Sequence, residues 1–389
     1  MVAVQLNLAT RVSTRMSEAE WLRSKLPPIV IPSRRKLRIA DLFCGAGGMT
    51  LGAREVISAY GMDPVLAFAA DVDRDAMSVY RDNFSIEDKR VFTDDIAELL
   101  TGTVGRAKRK CESDLISKIG RVDVLLAGPP CQGHSDLNNR TRRNDERNWL
   151  YLKAIRFAEL FRPKVILIEN VRSVTLDKIE VVKTAQEILD NLGYFIQDDI
   201  FNASELGLPQ LRKRHLLLAT RKRIPKFRTS KVHAIPALSS VIDDLTDEYV
   251  NANGDMFRSA SRLSPDNLKR VRYLFAKDLY DLPNSRRPAC HRDKSHSYVS
   301  MYGRLRWDRP AQTITSGFGS PGQGRYIHPE RPRVITPHEA ARIQGFPDYF
   351  SFASVTRRFK LQEIIANAVP PVLAAAVLEH VIINGGLDS

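Results

Sequence analysis

From residue 37 the chain alternates short apolar runs with stretches of helical periodicity. LRIADLF, PVLAFAADVD, RVFTDD, VDVLLAGPP and KVILIENV read as strands, and MTLGAREVISAYG reads as the helix after the first of them. Strands separated by helices predict a parallel, doubly wound α/β sheet of Rossmann-like type. Ligands of such sheets bind beyond the carboxyl ends of the strands. The notable polar residues fall there: Asp41 to Gly48, Asp71, Asp95, Pro130 with Cys131, and Glu169 with Asn170.

The rhythm stops near residue 220. Residues 222–335 are rich in Arg, Asn, Ser, Pro and Gly, which predicts a smaller, loop-rich second domain. Helical periodicity resumes at TPHEAARIQGF and PPVLAAAVLEHVI, so residues 336–389 are expected to return to the first domain, which itself spans 37–221. Residues 1–36 read as a basic extension with a helix at SEAEWLRSKL, expected to strengthen binding to a polyanion. No apolar stretch approaches the roughly 20 residues of a membrane span. The start MVAVQLNLATRVSTRM also lacks the order of a signal peptide. A cytoplasmic, nucleoid-associated protein is therefore expected.

Charge sharpens this picture. The 389 residues carry a net +14, divided as +6 over residues 1–40, −2 over 41–220, +7 over 221–300 and +3 over 301–389. Two basic blocks thus flank a near-neutral body, a pattern suited to nucleic acid, whose phosphates release counterions when neutralised. The four cysteines, Cys44, Cys111, Cys131 and Cys290, give neither a disulfide framework nor paired metal ligands, and no metal is expected.

In DLFCGAGGMTLG, residues 41–52, glycines follow the first strand and open a helix, letting backbone approach a ligand closely. The third glycine of a dinucleotide fingerprint is missing. Asp71 is placed to accept from ribose hydroxyls and Asp95 from an adenine amino group; capping a helix is the alternative for both. Cys131 stands behind two prolines in GPPCQGHS, on stiff backbone that aims a side chain, with Arg140, Arg142 and Arg143 near in sequence. Glu169 ends a strand where burial would raise its pKa. In PQLRKRHLLLAT, Arg212 and Arg214 alternate onto one face of a predicted strand, able to grip a phosphate or a base carbonyl.

Together these stretches resemble the DNA cytosine-C5 methyltransferase family of bacterial and phage restriction-modification type. DLFCGAGG is similar to its first motif, PPCQG to the catalytic one, ENV to the next and QLRKR to its Q-x-R-x-R element. RPAQTITS, HPERPRVITPHEAARIQGFPDYF and NAVPP resemble its last motifs, so the likeness runs from about residue 37 to 380. The resemblance implies S-adenosylmethionine as methyl donor and a flipped cytosine in double-stranded DNA as target. Cys131 would attack C6, Glu169 would bond N3 and the exocyclic amine, Arg214 would hold O2, and Arg212 would support Cys131 or a phosphate.

It further implies a cofactor pocket lined by Asp41, Phe43, Ala46, Gly48, Gly128, Pro130 and Leu150, and closed by Asn367 and Ala368. Asp71 would hold the ribose, Val72 and Ile96 would flank the adenine, and Asp95 would read its amino group. The family's usual Gln-x-Gly-Asn is replaced by Ile364 to Asn367, and an aromatic residue is common where Val72 stands. Residues 222–335 would be the target-recognition domain, with Ser135, Arg304, Arg306 and Arg325 as candidate DNA contacts. A cognate restriction endonuclease is a further implied partner, and a monomer is expected. Two other readings stay open: a tRNA cytosine-C5 methyltransferase, and a catalytically inactive DNA-binding regulator on the same fold.

Overall fold

The computed structural model describes residues 18–29, 32–130, 149–176, 180–229, 235–245, 255–292 and 300–388. Cys131, Ser135, Arg140, Arg142 and Arg143 lie outside the described residues.

Seven strands form one sheet in the order β3-β2-β1-β4-β5-β8-β6. β1 (Lys36–Leu42), β2 (Asp63–Ala70), β3 (Val91–Phe92), β4 (Val124–Ala127) and β5 (Val165–Val171) pair in parallel. β8 (Lys213–Thr220) runs antiparallel to both β5 and β6 (Phe195–Asn202), so the sheet is mixed where an all-parallel one was expected. The reason lies in the short link between β6 and β8. A parallel return needs a crossover of about a dozen residues or more, usually helical. Part of this link is instead spent on β7 (Gln210–Leu211), which pairs with β9 (Ala311–Gln312) in a separate ribbon.

The strands are buried on both faces, with period-two alternation dividing the core. Ile39, Val124, Leu126, Val165 and Leu167 join one cluster, while Ala40, Leu42, Leu125, Ile166 and Ile168 join the other. Helices α1 (Gly48–Ala59), α2 (Arg74–Asn83), α8 (Pro337–Ile343), α9 (Arg358–Asn367) and α10 (Pro371–Ile383) supply the first cluster. Helices α3 (Ile96–Leu99), α4 (Lys110–Ile119), α5 (Leu150–Phe161) and α6 (Val181–Asn191) cover the second. Helices α1 and α10 touch closely: a Cβ at Gly52 would stand 2.0 Å from the Pro371 carbonyl.

By length and composition alone, Arg358–Ile383 is long and apolar enough to cross a membrane. Its most apolar window is 83% buried within the protein, and α9 ends before Ala368–Val369–Pro370, so the stretch serves as core.

Within 222–335 a small separate core gathers Val271, Leu274, Leu282, Met301, Tyr302 and Ile327 around α7 (Pro265–Ala276). Leu238, Val241, Ile242, Leu305, Ile314 and Phe318 instead join the main core. The described part of the basic extension is also docked. Trp21 stands edge-on to Tyr349 at 6.4 Å, and Leu22 O accepts from Asp348 N at 2.9 Å.

A buried ion cluster fastens these segments. Arg342 is 2% exposed and donates through Nε to Asp348 at 2.7 Å and through one terminal nitrogen to Asp244 at 2.8 Å. Arg23 reaches Asp244 at 3.0 Å, and His338 reaches Asp348 at 2.7 Å. Burial alone would raise the Asp348 carboxyl, but hydrogen bonds from His338 and Arg342 overcome it and hold it at about 2. Arg342→Met leaves Asp348 with His338 and Asp244 with Arg23 as remaining partners, and is expected to lower stability by about 1–3 kcal/mol in urea unfolding. Because the folded-state value is depressed, the Asp348 contribution is present above the ordinary carboxylate value of 3.8 and lost as pH falls toward about 2. Asp348→Asn should therefore be destabilised at pH 7, with the gap to the parent closing over that acid range.

Candidate active site

The site is built from strand ends. At the tip of β1, Asp41 is 1% exposed; Oδ2 accepts from Thr50 Oγ1 at 2.7 Å, and Thr50 in turn meets Tyr80 OH at 2.9 Å. Asp41 Oδ1 is buried without a hydrogen-bond partner among the described residues. Burial pushes this carboxyl up to about 7, with the Thr50 hydrogen bond opposing. The chain then turns sharply, with φ of 55° at Phe43, 52° at Gly45 and 90° at Gly47. Left-handed backbone at a phenylalanine costs about 1–3 kcal/mol and persists only where its surroundings enforce it. Cys44 N bonds Ala70 O at 3.1 Å and Gly45 N bonds Asp71 Oδ2 at 2.8 Å, which supplies that enforcement.

At the tip of β2, Asp71 accepts from Gly45 N and, through Oδ1, from Asp73 N at 2.8 Å. It thus secures the turn, and burial raises its carboxyl. Val72 beside it is 70% exposed. Asp95 caps α3, accepting from Ala97 N at 2.9 Å, while Ile96 is buried. A Cβ built at Gly128 would lie 3.4 Å from Phe43 O, 3.5 Å from Met49 Cε and 4.0 Å from Val369 Cγ2, so these residues surround one spot. Ala46 and Gly48 are buried, Pro130 and Leu150 are half-buried, Asn367 is exposed and Ala368 is buried. A Cβ at Gly48 would stand 2.0 Å from Val369 O, so the first turn of α1 rests directly on the α9–α10 junction.

Across β4, Asn170 Nδ2 donates to Pro129 O at 3.3 Å, tying the end of β5 to the prolines before Cys131. Glu169 is 7% exposed, and Arg214 Nε lies 2.7 Å from its Oε1. Antiparallel pairing sets Arg214 opposite Val171, two residues from Glu169. Burial pushes the Glu169 carboxyl upward, against the charges of Arg214 and Arg212. The product is a buried carboxyl and a guanidinium held together beside the backbone that leads to a thiol.

Residues 37–382 match the family described as C-5 cytosine-specific DNA methylase. The chain belongs to that family. The chain is 43% identical, over 93% of its length and 84% of the relative's, to the Type II methyltransferase M1.BsuMI of Bacillus subtilis (strain 168). It is 30% identical, over 88% of its length and 94% of the relative's, to the Type II methylase M.HgiDII of Herpetosiphon aurantiacus. Among solved structures, the Entamoeba histolytica methyltransferase EhMeth matches with a TM-score of 0.62 at 17% identity, covering 90% of this chain and 99% of that one. This last likeness concerns the fold. The protein is a DNA cytosine-5-methyltransferase of the kind found in restriction-modification systems.

Two expectations about the methylase change once side chains are seen. Arg212 and Arg214 do not share one strand face, because Arg212 falls in the break between β7 and β8. At 2% exposure, Arg212 donates to the carbonyls of Ile314 (3.2 Å), Ala366 (3.0 Å) and Ala368 (3.2 Å), which withdraws it from any phosphate. Arg304 is likewise turned inward: it donates to Pro329 O, pairs with Asp278 at 3.1 Å and lies over the Phe275 ring at 4.4 Å. Arg325 donates to Tyr280 O and Arg304 O and pairs with Asp281. Arg306 stays half-exposed over Tyr280, leaving it the outward one of the three.

Two residues escaped sequence reasoning. Gln210 Nε2 donates to Gln344 Oε1 at 2.8 Å while its Oε1 accepts from Ile314 N at 3.2 Å. Gln344 Nε2 donates to Ile365 O at 2.7 Å. Both glutamines are fully buried within quoted stretches, QLRKR and RIQGF, but no periodicity marks a buried amide. Arg212→Lys tests this knot. One ammonium cannot span three carbonyls on two segments, and each buried acceptor left unmet costs about 1–3 kcal/mol. A clear drop in the melting temperature by calorimetry is expected, and unchanged stability would contradict the assignment.

Proposed function

We propose that the chain methylates C5 of a cytosine flipped out of double-stranded DNA, at one short sequence, through a covalent bond between Cys131 and C6. The observation that carries this reading is the buried Glu169–Arg214 pair, 2.7 Å apart, tied through Asn170 to the prolines before Cys131. A thiolate adding to C6 makes C5 the nucleophile. Glu169, its carboxyl raised by burial, would share a proton with N3 and accept from the exocyclic amine, and Arg214 would hold O2. C5 gains a methyl group and loses its proton to water, and the Sγ–C6 bond then breaks to restore the ring. Reaching the base requires its extrusion, at about a few kcal/mol.

The residues at the ends of β1, β2 and β4 fit S-adenosylmethionine. Asp41 Oδ1 is a buried acceptor lacking a partner among the described residues, and Gly128 leaves an uncovered spot among Phe43, Met49 and Val369. When bound, this cofactor supplies an electrophilic methyl group on a sulfonium. Asp71 would take the ribose hydroxyls with its remaining lone pairs. Val72 and Ile96 would enclose the adenine, with Asp95 at its amino group and Leu150, Asn367 and Ala368 on the outer wall. Residues 222–335 serve as the target-recognition region, with Arg306 as a candidate contact, and a restriction endonuclease of the same specificity is a fitting partner.

Base-resolution methylation sequencing of DNA from cells expressing the parent, Cys131→Ala and Glu169→Gln tests the proposal. One fully methylated short motif is expected for the parent and none for Cys131→Ala. Purified Glu169→Gln should show kcat reduced by about 10²–10⁴-fold, the usual worth of a positioned proton donor. A motif still methylated by Cys131→Ala, or methyl transfer to tRNA alone, would overturn it.

A further inference from the structure

One large aromatic side chain near the site stays out of the core. Trp149 stands at the N-cap of α5 with helical backbone, φ −73° and ψ −11°, and is 44% exposed. Singly exposed apolar residues are ordinary. What sets Trp149 apart is that its ring is held. Lys153, four residues on and so on the same side of the helix, places Nζ over one face of the indole, 4.8 Å from the ring centroid. Lys153 is itself buried, and its ammonium donates to Leu100 O, just past the single turn of α3. Burial lowers the pKa of this ammonium, and the charges of Glu112 and Asp95 oppose the shift. A buried cation committed to a carbonyl thus backs the indole, and the ring's exposure belongs to its other face and edge.

The connections place that face. Only residues 162–164 separate α5 from β5, so α5 ends at the amino end of β5 and begins toward the carboxyl rim of the sheet. Only residues 93 and 94 separate β3 from Asp95, the N-cap of α3, so Asp95 stands at the carboxyl end of its strand. Lys153 meets α3 at its far end, at Leu100. Trp149 lies one turn back along α5, about 5.4 Å nearer the rim, on the side that faces α3.

This is the flank where Asp95 is proposed to meet the adenine amino group. Apolar surface there is otherwise thin. Ile96 is 4% exposed, its side chain already spent on the core, and Val72, though 70% exposed, is a small aliphatic group. A purine has two flat π-faces, which pack on an aromatic ring with more area and better electrostatics than on an isopropyl group. We infer that Trp149 supplies the aromatic face against which the adenine of S-adenosylmethionine packs. The inference rests on the proposed cofactor and adds a residue to its pocket, one that the Lys153 contact holds in place before the cofactor arrives.

The test measures binding of S-adenosylhomocysteine, the product that keeps the adenine, to the full chain. By calorimetry Trp149→Ala should bind it about 5- to 100-fold more weakly, the loss expected for one base–aromatic stack, while Trp149→Phe keeps a ring and should stay within about threefold of the parent. Fluorescence separates stacking from packing, because the chain has three tryptophans, Trp21, Trp149 and Trp307. Adding S-adenosylhomocysteine should quench the parent, Trp21→Phe and Trp307→Phe, and should leave Trp149→Phe unquenched although calorimetry shows it bound. That comparison needs no alanine variant, so it decides the matter should Trp149→Ala fail to fold. Unchanged affinity in Trp149→Ala, or a quench that survives in Trp149→Phe, overturns the inference. A parent chain that does not bind S-adenosylhomocysteine overturns the cofactor reading beneath it.

Discussion

Everything at the carboxyl rim depends on one buried guanidinium. Arg212 leaves the regular ladder between two strands and spends its donors on carbonyls of Ile314, Ala366 and Ala368. Those carbonyls belong to the segment after β9 and to the end of α9, which are far apart in sequence. Gln210 and Gln344 repeat the linkage with amides, so the three side chains form one connected polar unit inside an apolar core. A network of buried hydrogen bonds favours a single arrangement. The arrangement specified holds Val369 against Gly48 and starts β8 in the register that brings Arg214 to Glu169.

The same economy governs charge. Part of the positive excess that suggested nucleic acid is consumed internally: Arg325 supports the Arg304 and Tyr280 backbone, Arg342 holds Asp244 and Asp348, and Arg156 clamps a loop. Counting basic residues by segment therefore misjudges where a polyanion can dock. The −2 of residues 41–220 in turn conceals four exposed cations, Arg106, Lys108, Arg109 and Lys110, that form an ion pair with none of the described residues.

Much of the fold was legible because parallel strands leave apolar runs and strand-end turns leave glycines. Asp41, Phe43, Asp71, Gly128 and Glu169 all stand at strand ends as their sequence positions implied. The antiparallel β8 was not legible, since an apolar run does not state its direction; only the short link before it carries that information. Nor was the inward turn of Arg212, which alternation placed beside Arg214. A two-residue period predicts facing only while the strand continues, and here it stops for one residue. The apolar stretch Arg358–Ile383 shows the converse, where hydropathy counted along the chain cannot tell a core helix pair from a membrane span.

In the proposed reaction the Cys131 thiol carries the base during transfer. A duplex with 5-fluorocytosine at the target tests it most directly, because fluorine at C5 cannot leave as a proton and should arrest the chain on the DNA. Mass spectrometry of the digested adduct is expected to find the modified base on the peptide containing Cys131. No adduct in the presence of S-adenosylmethionine, or an adduct on Cys44, Cys111 or Cys290, would contradict the account.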